Sequence, residues 1–189
     1  MVEAISKKLT RDDWLQSALE MMRKIGVEGV KVSRLATQLG VTTGSFYWHF
    51  KNRRELLEAV LEYWERIMTA DAIEEARQFD GSPEDRILFL MRRVMVDDLA
   101  GHDLPIWHWA QSDIGAERVF QRALDKRFKF ATWMFQEAGF SRQQAEIRGR
   151  MMVVYLMGES TLVSDTVSKR MELIQQKHAI LTCGPENTG

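Results

Sequence analysis

Between Val32 and Phe50 two apolar-faced segments, each shorter than three helical turns, meet across Gly40. Leu35, Ala36 and Leu39 share one side of the first, and Phe46 and Phe50 stand at i and i+4 on the second. Segments this short, joined by three residues, cannot lie side by side. They must cross steeply, and a steep crossing needs a small side chain at the contact. Ala36 supplies it, Gly40 takes the positive φ that stops the first segment abruptly, and Phe46 closes the far side. This order of small residue, glycine and large apolar residue has the spacing of a helix-turn-helix, placed at about residues 33–52. Ser33 is the expected cap of its first helix and Thr42 of its second. Leu35, Leu39, Val41, Phe46 and Phe50 are its expected core.

The rest of the chain also reads as helix, giving an all-α fold of about nine helices. The 189 residues include only three prolines, and no stretch of Val, Ile and Thr alternates with period two. Thr10 with Asp13 forms a capping box for a helix that Gly26 ends. Asn52 with Glu55 starts a long helix reaching the low seventies, and the segment from Gln78 to Pro83 breaks the chain. Further helices are expected at about 83–99, 104–111, 115–138, 141–163 and 166–181, with Ser141 and Gln144 forming another box. An N-terminal three-helix bundle over residues 1–70 and a larger helical bundle over 71–189 follow from this pattern.

Charge is unevenly placed. From Gly29 to Arg54 the chain carries Lys31, Arg34, Lys51, Arg53 and Arg54 and no acid, although its formal net charge is -1. A basic patch on a near-neutral chain fits a polyanion-binding module joined to a non-binding one. A single cysteine, Cys183, rules out an internal disulfide. The longest apolar run, Met151 to Met157, is far short of a membrane span, and no segment resembles a signal peptide. A cytoplasmic protein without membrane contact is expected.

The runs LATQLGVTTG (residues 35–44) and FYWHFKNRRELLEAV (residues 46–60) resemble the tetracycline-repressor (TetR) family. The resemblance covers about residues 10–60. It implies a DNA-binding domain, a helical effector-binding domain and a homodimer that represses transcription from a palindromic operator until a ligand releases it. It also implies that Tyr47 contacts the DNA backbone, and that Arg53, at a position usually lysine in the family, touches phosphate. The residues agree. A helix beginning at Thr43 offers Thr43, Gly44 and Ser45 to the major groove from its first turn. Thr42 precedes that turn, Tyr47, Trp48, His49 and Lys51 follow it, and Ser33 and Arg34 open the preceding helix. Thr43, Ser45 and Arg34 are the candidates for base readout, and the others position the protein on phosphate and sugar.

A two-fold dimer on a palindrome compensates for the small reach of such helices. The helix from Ser141 is apolar almost all round, and a stripe runs along the last helix. Met152, Leu156, Gly158, Val167, Met171, Ile174 and His178 are the expected dimer interface, with Gly158 and Ser160 allowing close helix approach. For the effector, aromatic side chains concentrate between residues 105 and 135. Met95, Trp107, Trp109, Phe128, Trp133, Met134, Met151 and Tyr155 are the expected pocket, suited to a small apolar or aromatic molecule. The segment from His102 to Asp113 is a candidate gate, and the helix starting at Arg53 a candidate route for a ligand-driven population shift.

No catalytic residue, metal site or cofactor is expected. HExxH, CxxC, GxGxxG, P-loop and nucleophile-elbow patterns are all absent, so the chain does not read as an enzyme. Two alternatives stand beside the repressor reading. One is a metal-responsive regulator using His102, His108 and Asp113. The other is a helical interaction protein whose basic patch meets an acidic partner.

Overall fold

The structure is a computed structural model that describes residues 9–162 and 166–184. Every regular element among the described residues is helical, in keeping with the all-α expectation. The chain divides into two compact units, one through Tyr63 and one from Trp64.

In the first unit, α1 (Arg11–Gly29) starts with the expected box: the Thr10 hydroxyl accepts from the Asp13 N–H, and the Asp13 carboxylate accepts from the Thr10 N–H at 2.7 Å. Its regular course breaks at Gly26, whose φ of +72° suits glycine, and one further turn precedes Val30. Helix α2 (Val32–Gln38) stops at Gly40, with φ +69°. Helix α3 (Thr43–Phe46) is a single turn, continued by Tyr47 and Phe50 N–H bonds back to Gly44 and Phe46. Asn52 caps α4 (Arg53–Glu65) through the Glu55 N–H, while the Glu55 carboxylate accepts from the Lys51 N–H rather than from Asn52.

Aromatic packing sets the crossing of these short helices. Trp14 meets Phe46 edge-on at 5.5 Å, and Phe46 stacks on Phe50 at 5.4 Å. All three rings are fully buried together with Leu35 and Ala36. Leu39 and Val41 are only half-buried, because the turn carries them to the rim of this core. Two polar ties complete the unit. Gln38 donates to Ser17, and the Arg53 guanidinium donates to the carbonyls of Val27 and Val30 at 2.6 and 2.7 Å.

In the second unit a π-helical turn (Arg66–Asp71) leads into α5 (Ala72–Gln78), followed by α6 (Pro83–Val96), capped by Ser82. A 3-10 turn (Leu99–His102) precedes α7 (Asp103–Ala110), and then come α8 (Ile114–Glu137) and α9 (Arg142–Leu162). The expected last helix is interrupted at Leu173, giving α10 (Val167–Glu172) and α11 (Ile174–Thr182). Ser141 and Gln144 form their reciprocal bonds at the start of α9. Gly149 lets α9 approach α8 closely: a Cβ there would lie 2.9 Å from the Thr132 nitrogen. The core gathers Ile87, Met91 and Met95 from α6, Phe130, Met134 and Phe135 from α8, and Met152 and Leu156 from α9. No helix among the described residues is long and apolar enough to cross a membrane.

Candidate functional site

The basic end of the first unit presents a compact outward face. Ser33, Arg34, Thr42, Thr43, Gly44 and Lys51 are exposed, and Ser45 and His49 are half-buried. Tyr47 keeps 63% of its surface accessible and Trp48 88%. Two large aromatic side chains this open, on one short turn, form an apolar patch that folding of this unit leaves uncovered. Phe46 and Phe50 lock the same turn from beneath. The Tyr47 ring lies edge-on to Phe46 at 5.2 Å and His49 tilts against Trp14 at 6.4 Å, so the turn presents its outward groups on a rigid base. A Cβ at Gly44 would make only an ordinary 3.6 Å contact with Thr42, so nothing inside the unit requires glycine there.

Two details of the expected site change. Ser33 does not cap α2: Lys31 occupies the N-cap position without a side-chain bond, and Ser33 lies inside the first turn, where its carbonyl accepts from Thr37. Thr42 does stand at the N-cap of α3, again without a capping bond. Arg53, expected to touch phosphate, instead uses its Nε and one Nη to hold the end of α1 against the start of α4.

The second unit contains a buried ionic network absent from the sequence reading. Asp103, fully buried, accepts two bonds from Arg127 at 2.6 and 3.1 Å and one from the Trp64 indole at 3.1 Å. Arg127 also donates to the Thr69 hydroxyl and the Met68 carbonyl, tying the π-helical turn to α8. One turn earlier Glu65, also buried, is held by Arg122 and by Lys126 at 2.8 Å. Burial alone would raise the Glu65 carboxyl, but the bonds and charges of Arg122 and Lys126 hold it below the usual carboxylate range.

A depressed pKa in the folded state means stability that is present above the ordinary glutamate range and lost as pH falls through the folded value. Melting curves between pH 7 and pH 3 are therefore expected to fall more steeply for the natural chain than for Glu65→Gln. Parallel curves would refute a stabilising role for this carboxylate.

Beside Arg127 lies an apolar cavity of about 50 Å³. Met68, Thr69, Ala72 and Ile73 wall it on one side, and Leu90, Val94, Leu99 and Ala100 on another. Phe130, Met152, Val153, Leu156 and Met157 complete the lining, with Arg127 its one charged member. None of the expected pocket residues is among them. Met95 and Met134 are fully buried in the core, Phe128, Trp133 and Tyr155 pack half-buried against that same core, and Trp109 is buried outside it. Trp133 lies beneath the guanidinium groups of Arg77 and Arg86, and Trp107 and Met151 face outward.

The expected dimer set changes in a complementary way. Met152, Leu156 and Ile174 are buried in their own core, Met171 packs against it, and His178 Nε2 meets the Glu84 carbonyl at 2.9 Å. The Val167 side chain lies outside the described residues. Exposed instead on α9 are Ile147, Met151, Val154 and Leu162, a stripe of period 3.6 that includes Gly158, whose missing Cβ would meet open space. Within the chain, it is Gly149 that permits the close approach of α9 to α8. On a helix apolar all round, neighbours in sequence point about 100° apart, so Met152 and Leu156 turn into the core while Met151 turns outward. Among the described residues no three His, Cys, Asp or Glu side chains converge as metal ligands. His102 is buried and His108 exposed, which separates the residues of the metal-responsive alternative.

Residues 15–60 match the family profile of "Bacterial regulatory proteins, tetR family". Tetracycline repressor protein class C from Escherichia coli is 47% identical over 55 residues, 29% of this chain and 25% of that protein. The match to this curated relative thus spans about a quarter of its length. Among solved structures, a TetR transcriptional regulator from Legionella pneumophila superposes with a TM-score of 0.74 at 12% identity, over 94% of this chain and 97% of the other. The transcriptional regulator FadR from Bacillus subtilis, in complex with stearoyl-CoA, superposes with a TM-score of 0.66 at 16% identity, over 93% and 99%. These likenesses extend the shared fold through the second unit.

Proposed function

We propose, starting from a chain whose N-terminal unit belongs to the tetR family of bacterial regulatory proteins, that it is a sequence-specific transcriptional repressor, homodimeric and released from DNA by a small molecule. The observation that carries the reading is the turn from Thr43 to His49, which holds two open aromatic rings beside the small residues Thr43, Gly44 and Ser45 in a basic, acid-free segment. Thr43, Gly44 and Ser45 enter the major groove, and their small size lets the helix backbone come close. Tyr47 and Trp48 lay their rings on sugars or thymine methyls, and Lys51 and Arg34 neutralise phosphates. Arg53 acts one step back, as a positioning residue that orients α4 against α1.

Dimerisation through the exposed stripe of α9 supports the operator geometry. Two copies related by a two-fold axis set their reading turns about 34–36 Å apart, one turn of B-DNA. The effector enters the second unit. FadR, of the same fold, holds stearoyl-CoA, and the cavity beside Arg127 is the apolar space from which such a site opens here. Three methionines line it, and their unbranched side chains rearrange at low cost. Residues 1–70 form the DNA-binding part and residues 71–189 the effector and dimer part, in a protein that works in the cytoplasm.

Selection of the purified chain against a random duplex library tests the reading. A two-fold palindrome is expected, with affinity reduced roughly ten-fold or more in Tyr47→Ala, since a contact of this kind contributes about 1–3 kcal/mol. Enrichment of no motif would instead make the chain a generic phosphate binder.

A further inference from the structure

We propose that the effector is an amphipathic monoanion: Arg170 and Ser160 receive its oxygen-bearing head, and the methionine-lined cavity takes its hydrocarbon body. The inference rests on the reading that the second unit holds an effector, and it adds the chemistry of that ligand.

Arg170, on α10, is nine-tenths buried. Its Nε and Nη1 are both sequestered from solvent with no hydrogen-bond partner among the described residues. Its countercharge, Asp98, stands 3.9 Å away, beyond hydrogen-bond reach. The Ser160 hydroxyl on α9 is also buried and unpartnered. Buried donors are almost always satisfied in folded proteins, and a guanidinium, which only donates, calls for acceptor oxygens. Of the other charges nearby, Glu159 also lies within electrostatic reach of Arg170 but gives these two nitrogens no hydrogen bond. Glu159 accepts from Lys177 at 2.8 Å, and the Lys177 ammonium lies over the Tyr155 ring. What Arg170 lacks is therefore not countercharge but acceptor atoms for two sequestered N–H groups, and a carboxylate head supplies two strongly accepting oxygens.

Along the chain, Ser160 and the countercharge Asp98 stand close to residues that line the cavity. Ser160 follows Leu156 by four residues, so it continues the inward face of α9 by one turn, and Asp98 directly precedes Leu99. Asp98 is 24% exposed, which places this countercharge at the solvent edge of the site. At about 50 Å³ the cavity admits a chain only as Met68, Met152 and Met157 swing aside, which favours one slender hydrocarbon body over a bulky ring system.

Calorimetric titration of the full chain with octanoate, 1-octanol and octylammonium tests the proposal, because the three probes share a tail and differ in head charge. Octanoate is expected to bind at least about ten-fold more tightly than 1-octanol, as a charge-assisted pair would give, with octylammonium weakest. In Arg170→Gln the preference for octanoate is expected to collapse to within about three-fold while 1-octanol binds as before, which also verifies the fold. Should that variant not fold, Ser160→Ala decides, with octanoate weakened and 1-octanol unchanged. Equal binding of octanoate and 1-octanol by the natural chain, or a preference that survives loss of Arg170 or Ser160, overturns the head-group assignment and leaves an apolar pocket. Binding of none of the three overturns the effector reading itself, and this proposal with it.

Discussion

Val154→Arg is expected to leave a folded monomer whose affinity for the palindrome falls by two orders of magnitude or more. Val154 is 61% exposed on α9, midway along the stripe from Ile147 to Leu162. An arginine there reaches solvent in the isolated chain, so the core of the second unit is untouched and the melting behaviour of the monomer is preserved. In a two-fold interface formed by this stripe the substitution occurs twice, so each copy carries a guanidinium group into an apolar setting. Removing one unpaired charge from water costs several kcal/mol, enough to cancel a dimer held by apolar contact. Operator affinity follows, because a linked pair of reading units gains roughly 10²–10⁴ over one through effective concentration. Sedimentation gives the mass and titration of the selected site gives the affinity. A variant that stays dimeric and binds normally would move the interface to another face.

Asp103→Ala is expected to cost about 3–5 kcal/mol, the usual penalty for breaking one side of a buried ion pair. In a chain of this length that lowers Tm by roughly 10 °C. The substitution leaves the Arg127 guanidinium, 13% exposed, without its carboxylate and the Trp64 indole without its acceptor. Asp103→Asn should lose less, because the amide oxygen still accepts one bond. Replacing both partners, Asp103→Leu with Arg127→Met, should recover much of the loss, since an apolar pair of similar volume needs no compensating charge. Thermal unfolding of the three variants checks the order. A single Asp103→Ala effect below about 1 kcal/mol would mean that water compensates Arg127, and the network would lose its role as the clamp between α7, α8 and the π-helical turn.

The reading of the first unit from sequence succeeded because its determinants are short-range. The box of Thr10 and Asp13 spans three residues, the stop at Gly40 is a property of one residue, and Ala36, Gly40 and Phe46 lie within a single crossing. Even there, the use of Arg53 on the Val27 and Val30 carbonyls was missed, since its partners stand 26 and 23 residues away. A half-buried arginine that clips two carbonyls leaves no pattern in a basic segment that distinguishes it from a phosphate ligand.

For the second unit the amino-acid pattern was enough to place most of the helices and the box of Ser141 with Gln144, although not the break at Leu173. It did not determine which way α9 faces. Met151 and Met152 are equally apolar, and only the packing of α6 and α8 against one side makes Met152 core and leaves Met151 open. The cavity and the pairs Asp103 with Arg127 and Glu65 with Arg122 join residues 24 and 57 positions apart. Helix formation is decided by neighbours within about four residues. A cavity or a buried ion pair is decided by which helices meet, and in this protein only the tertiary structure brings those surfaces together.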